Sequence, residues 1–199
     1  MRGVAVALVL LSVTGCTSIS KEECLQGDWY SIGVDDGKNG RLPTDSFRGY
    51  EKECADYGVR PDFAKYQQGH SQGLVFYCDF EHGVAHGRSG SEYNTACTGK
   101  LEPSFRQGYQ QGRRWYQAKK VVDDIRYAIA RIQSANTQMD DEIYQLNQRI
   151  VQDPNPNNRA SMMYRVDELR RRIGENAVEL GRLGGELSRA EAAFAPLNR

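Results

Sequence analysis

Apolar residues in the second half of the chain recur at alternating spacings of three and four. One run is Val122, Ile125, Ile129, Ile132, Met139, Ile143, Leu146 and Ile150, interrupted only at Asn136. A second is Met162, Val166, Leu169, Ile173, Leu180, Leu183, Leu187, Ala190 and Phe194, interrupted only at Asn176. This is the seam of a helix pair. Asp153-Pro-Asn-Pro-Asn-Asn158 between the runs cannot continue a helix. The runs are mirror images about residue 156: Ile150 stands opposite Met162, Ile129 opposite Leu183, and the two polar exceptions, Asn136 and Asn176, opposite each other. The pattern predicts an antiparallel coiled-coil hairpin over residues 117–196, with its tip at 153–158 and a helix of roughly 50 Å from Ala118 to Ile150. The asparagine layer sets the register, because a slip by one heptad leaves each amide against apolar side chains, at about 1–3 kcal/mol apiece.

The first half carries a different rule. Tyr30-x-x-Gly33-x-x-x-Gly37, Tyr66-x-x-Gly69-x-x-x-Gly73, Phe80-x-x-Gly83-x-x-x-Gly87 and Phe105-x-x-Gly108-x-x-x-Gly112 repeat one spacing. On a helix these positions share a face of rings and bare backbone, which admits another helix at close range. Each glycine costs about 1 kcal/mol of helix propensity, so such helices depend on packing and cross-links.

Those cross-links are available. Cys24, Cys54, Cys78 and Cys97 are an even set with no Cys-x-x-Cys pair, and in an exported chain the default is two disulfides. Of three possible connectivities, local symmetry favours Cys24–Cys54, equidistant from the turn residues Lys38-Asn39-Gly40, and Cys78–Cys97, flanking Gly83, Gly87 and Gly90. Each closure is worth about 3 kcal/mol.

The fifth cysteine gives the expected address. Arg2 precedes an apolar run, Val4 to Val13, too short to span a bilayer. Val13-Thr14-Gly15-Cys16 resembles the lipobox of bacterial lipoproteins, which implies removal of residues 1–15 and acylation of Cys16 with diacylglycerol and palmitate-type chains. Residues 16–23 are then a tether. Thr17 in place of aspartate, by analogy with the enteric sorting rule, favours the outer membrane, periplasm-facing.

Charge adds little: 26 Lys+Arg balance 26 Asp+Glu. This balance and the export signal exclude a nucleic-acid partner. Candidate chemistry is sparse. His82 and His86, at i and i+4 with Asp79 and Glu81 nearby, are the one pair worth testing as a metal site; exposed loop histidines are the simpler reading. His70-Ser71 lacks the setting of a hydrolase nucleophile, and Asp35-Asp36-Gly37 reads as helix surface or turn rather than a calcium loop.

Trp29, Gly33, Asp36-Gly37, Cys54, Gly58-Val59-x-Pro61-Asp62, Tyr66-x-x-Gly69, Gly73-Leu74, Tyr77-Cys78, Tyr93, Cys97 and Tyr109-x-x-Gly112 resemble a family of proteobacterial lipoproteins defined only as a domain of unknown function. The resemblance covers roughly residues 24–116 and implies a small disulfide-linked helical domain on a lipid anchor, with no catalytic residues. The expectation is an all-α, noncatalytic envelope lipoprotein without cofactor. It would be held to the membrane by its N-terminal lipid and contact an envelope protein through the hairpin tip or the aromatic-glycine face of Trp29, Tyr66 and Trp115. The alternative is a metal-binding or enzymatic lipoprotein using His82 and His86.

Overall fold

The computed structural model describes residues 19–198. Among these, seven α-helices run in order: α1 (Lys21–Gln26), α2 (Trp29–Lys38), α3 (Pro43–Ala55), α4 (Phe63–Tyr77), α5 (Phe80–Arg88), α6 (Glu102–Gln152) and α7 (Pro156–Phe194), followed by a 3₁₀ turn, Ala195–Asn198. The expected signal segment and Cys16 lie outside the described residues. The chain divides into two compact units, one comprising the residues up to Gly83 with Glu92–Tyr109, the other Val84–Ser91 with the residues from Gln110 onward.

In the first unit, short polar signals set the helix ends. Ser20 and Glu23 form a reciprocal capping box on α1, Asp28 caps α2 through the Ser31 amide, and Asp62 caps α4 through the Lys65 amide. Gly27 and Gly40, with φ of 68° and 65°, stop the helices before them in the left-handed conformation. The dominant pairing is α2 against α4, and it is made by glycine. A Cβ on Gly33 would lie 2.1 Å from the Tyr66 carbonyl oxygen, and one on Gly37 would lie 2.2 Å from that of His70. Reciprocally, a Cβ on Gly69 would lie 2.0 Å from the Tyr30 carbonyl oxygen and one on Gly73 2.2 Å from that of Val34. Both helices advance together along this contact, so the crossing is parallel, with backbone lying directly on backbone. Trp29, Phe47, Tyr50 and Tyr66 fill the core beside it, around the Cys24–Cys54 disulfide. Cys78–Cys97 is the second bridge, packed with Leu74, Ala96 and Phe105. These are the pairings that local symmetry favours.

The other two copies of the glycine motif use the same device. A Cβ on Gly83 would lie 2.2 Å from the Phe105 carbonyl oxygen, within the first unit; one on Gly112 would lie 2.2 Å from that of Val84, within the second. The copies therefore pair first with second and third with fourth. The first and third copies are each followed by a Tyr-x-x-x-Cys segment, Tyr50 to Cys54 and Tyr93 to Cys97. After each pair a glycine faces a tyrosine ring, Gly40 with Tyr77 and Gly90 with Tyr116. One Cys–helix–Cys–helix pattern is used twice.

In the second unit, α6 and α7 form the expected hairpin. Val122, Met139, Val166, Leu169 and Leu183 are buried along the seam, and the remaining seam residues are half-buried. Asn176 Nδ2 donates to Asn136 Oδ1 at 2.6 Å, which fixes the mirror register. Arg165 reaches across to Glu142 with two hydrogen bonds, 2.8 and 3.2 Å, and Arg126 to Glu191 at 2.6 Å. The boundary expected at residues 116–117 does not interrupt the helix: α6 starts at Glu102 and passes through it. No proline follows Pro103 until Pro154, and the close contact of Gly112 offsets its weak helix propensity.

The register has a direct test. In the double variant I129C/L183C the new thiols should join within one molecule under mild oxidation, while I129C/L180C should close far more slowly. Equal closure of both pairs, read by non-reducing electrophoresis and peptide mapping, would refute the mirror register.

Candidate functional site

Two places concentrate unusual chemistry: a buried carboxylate in the first unit and the tip of the hairpin in the second. The carboxylate belongs to Asp36, which the sequence places on a helix surface or turn. It is instead 4 % exposed. Its Oδ2 accepts from the Tyr50 hydroxyl at 2.8 Å and the Tyr66 hydroxyl at 2.7 Å, and its Oδ1 from Arg41 at 3.1 Å. The physical reason is spacing: Asp36 lies three residues after Gly33 and adjoins Gly37, so it points with the glycine face towards α4. One carboxylate thus ties α2 to Tyr50 of α3 and Tyr66 of α4. His70, also buried, stands over Tyr66 and bonds the Arg41 carbonyl through Nε2 at 2.8 Å. Burial, followed by the hydrogen bond to Asp36, pushes both the Tyr50 and Tyr66 phenols well above the ordinary tyrosine range. Both carboxylate oxygens of Asp36 are engaged by the protein, and none of the five main surface grooves is lined by it. The cluster's chemistry is that of a clasp: it binds three helices together.

The remaining sequence candidates fall as follows. Trp29, 4 % exposed, and Tyr66, 0 % exposed, are core residues, so the aromatic-glycine face closes on its own helices and is not offered to a partner. Trp115 is half-buried against Phe194, ring centres 5.6 Å apart. His82 and His86 sit on helix α5, not in a loop. His82 is engaged by Asp79, whose Oδ1 accepts the His82 amide at 2.7 Å and contacts Nδ1 at 2.9 Å. Among the described residues no group of three potential ligands gathers around either histidine. His70 is spent on the Arg41 carbonyl, and Ser71 donates to the Gln67 carbonyl of its own helix.

The tip is rigid and open. Asp153 accepts from the Asn155 amide at 2.7 Å and from Asn158 Nδ2 at 3.1 Å. Asn155 in turn caps α7 through the Asn157 amide. Arg159 donates to the carbonyls of Asp153 and Pro154, at 3.0 and 3.2 Å. Such local bonds satisfy the backbone groups that both helix ends leave without partners. A shallow groove of about 590 Å³ opens here between Arg149, Gln152, Pro154, Asn158 and Met162. Large side chains at this end of the hairpin face solvent: Val151 is 85 % exposed, Tyr164 74 %, Tyr144 61 % and Met163 56 %.

The clasp predicts an alkaline limit. Above about pH 10 an unfolded chain releases the protons of Tyr50 and Tyr66, while the folded chain keeps them. The folded state then binds more protons, and stability falls as pH rises from about 10. Denaturant midpoints should decline over this range less steeply in the Tyr66→Phe variant. Asp36→Ala, which strands two hydroxyls and a guanidinium, should cost about 3 kcal/mol. A stability independent of pH above 10, or unchanged by Asp36→Ala, would contradict the clasp.

No curated protein and no solved structure matches the chain. A family model does, and its span takes in both copies of the Cys–helix–Cys–helix pattern except for Cys24 and the last turns of contact. Residues 28–114 match the model of a family described as a protein of unknown function, DUF2799.

Proposed function

We propose that the chain is a lipid-anchored, noncatalytic lipoprotein of the bacterial outer membrane, facing the periplasm, which binds an envelope protein through the tip of its α6–α7 hairpin. The observation that carries the contact is the exposure of Val151, Tyr164, Tyr144 and Met163 beside a tip held rigid by its own hydrogen bonds. A seam stabilised by its buried residues and the asparagine pair does not need them. Val121, Tyr127 and Val178 are exposed elsewhere on the helix pair; those at this end adjoin the groove and a scaffold that loses little freedom on binding, which suits an interaction surface. The anchor rests on Arg2, the Val4–Val13 run and Thr14-Gly15-Cys16. No described helix is long and apolar enough to cross a membrane, and membrane attachment in this proposal belongs to the acyl chains on Cys16.

Photo-crosslinking side chains placed at Val151 and Tyr164 in living cells should capture one discrete protein. The same group at Gln133 or Ser134, exposed on α6 further from the tip, should capture none. Equal or absent capture at all four positions would reject the tip. The anchor is read separately: the mature protein should begin at Cys16 with the mass of its acyl chains and sediment with membranes, and an unmodified N-terminus in the soluble fraction would reject it.

A further inference from the structure

A second surface lies within the second unit, away from the tip residues. Arg88 of α5 and Trp115, Tyr116, Lys119 and Lys120 of α6 line one open groove of about 470 Å³. The Arg88 guanidinium lies 5.0 Å from the centre of the Trp115 ring, and that of Arg113 lies 5.3 Å from the centre of the Tyr116 ring. Arg113 also donates to the Gly90 carbonyl at 2.9 Å. Neither guanidinium has a carboxylate partner among the described residues. Asp123 and Asp124 also line the groove, but they are taken up by Lys119 and Lys120 in pairs along the helix. Arg88 is left as its uncompensated cation, and Arg113, on the Tyr116 ring beside the groove, is a second.

What this groove presents decides what it can bind. The Trp115 ring is covered by Arg88 and Phe194, and its indole N–H donates to Asn198 at 3.1 Å; the Tyr116 ring is covered by Arg113 and packed on Gly90. Each ring of the groove is already in contact with a guanidinium and is not a bare platform for a sugar. The guanidiniums, in contrast, are stacked and therefore oriented, with N–H edges that suit an oxyanion, and phosphate above all. Cations interleaved with a tryptophan and a tyrosine are the composition found where proteins meet lipid headgroups. A chain tethered by lipid is held within reach of such headgroups. We infer that the Arg88–Arg113 face docks on the phosphate groups of an anionic bilayer. The acyl tether proposed above explains why the surface would meet a membrane, but the contact itself does not require the tether.

The test therefore omits the lipid. The mature chain from residue 16, carrying Cys16→Ser, is mixed with vesicles of phosphatidylcholine alone or of phosphatidylcholine with phosphatidylglycerol. Binding to the anionic vesicles should be at least ten-fold tighter and should fall with added salt. The double variant R88Q/R113Q should lose about ten-fold or more, at about five-fold per charge near the surface, while R170Q/R171Q on α7 should bind as the parent does. K119Q/K120Q provides a second probe of the groove that leaves the stacked arginines in place, and it too should weaken binding. Circular dichroism confirms that each variant is folded. Equal binding to both vesicle types, or equal losses in the α7 variant, would overturn the inference. So would displacement by micromolar inorganic pyrophosphate, which would assign the groove to a soluble phosphate compound. Because no acyl chain is present, failure here is distinct from failure of the anchor, which is read from the mass of Cys16.

Discussion

The first unit depends on direct contact between helix backbones, made possible by removing side chains. At Gly33, Gly37, Gly69 and Gly73 a methyl group would stand 2.0–2.2 Å from a carbonyl oxygen of the facing helix, a separation that no rotamer change relieves. Everything around the crossing follows from how weakly glycine supports a helix. Four such residues forgo about 4 kcal/mol of helix propensity relative to alanine, so α2 and α4 hold their shape by being held together. The Cys24–Cys54 bridge restricts the unfolded chain. The Asp36 carboxylate gathers hydroxyls from α3 and α4. Rings of Phe47, Tyr50 and Tyr66 pack where the glycines let the helices close.

The hairpin follows the opposite logic. Its helices are kept apart by large side chains and aligned by one polar layer, Asn136 with Asn176, whose geometry is satisfied in only one register. The glycines of α7 show the contrast within the same molecule. A methyl group added at Gly174, Gly181 or Gly184 would meet nothing within 4 Å, so there the residue loosens a helix without enabling a contact. Of the proposed roles, protein contact falls to the tip, where satisfied backbone and exposed apolar side chains coincide, and phosphate contact falls to the Arg88–Arg113 face.

The hairpin was legible in the sequence almost residue by residue, because a heptad seam written twice in mirror order leaves little freedom. The disulfides were legible from symmetry. The glycine motif showed that helices would approach closely, but not which copies would pair or that the face would be internal: Trp29 and Tyr66 read equally well as an exposed binding face. Asp36 was misplaced because a carboxylate beside another carboxylate, Asp35, looks solvated. Only its position three residues after Gly33 hints that it turns inward, and its partners Tyr50 and Tyr66 come from helices whose pairing the chain order does not reveal. The Arg88–Arg113 face was invisible for a similar reason, since Arg88 joins Trp115 only when α5 lies on α6. The exposed tip aromatics were hidden by the seam pattern, which says where the buried residues are and little about the rest.

The central claim is that these glycines are contact residues and not flexible joints. Equilibrium denaturation of Gly37→Ala and Gly73→Ala, measured beside Gly181→Ala, separates the two directly. Backbone contact predicts a loss of about 3 kcal/mol or more at each crossing position and a gain of up to about 1 kcal/mol at Gly181, where alanine only improves the helix. If alanine at Gly37 and Gly73 were tolerated, or stabilised the protein as at Gly181, the close crossing of α2 and α4 would be wrong.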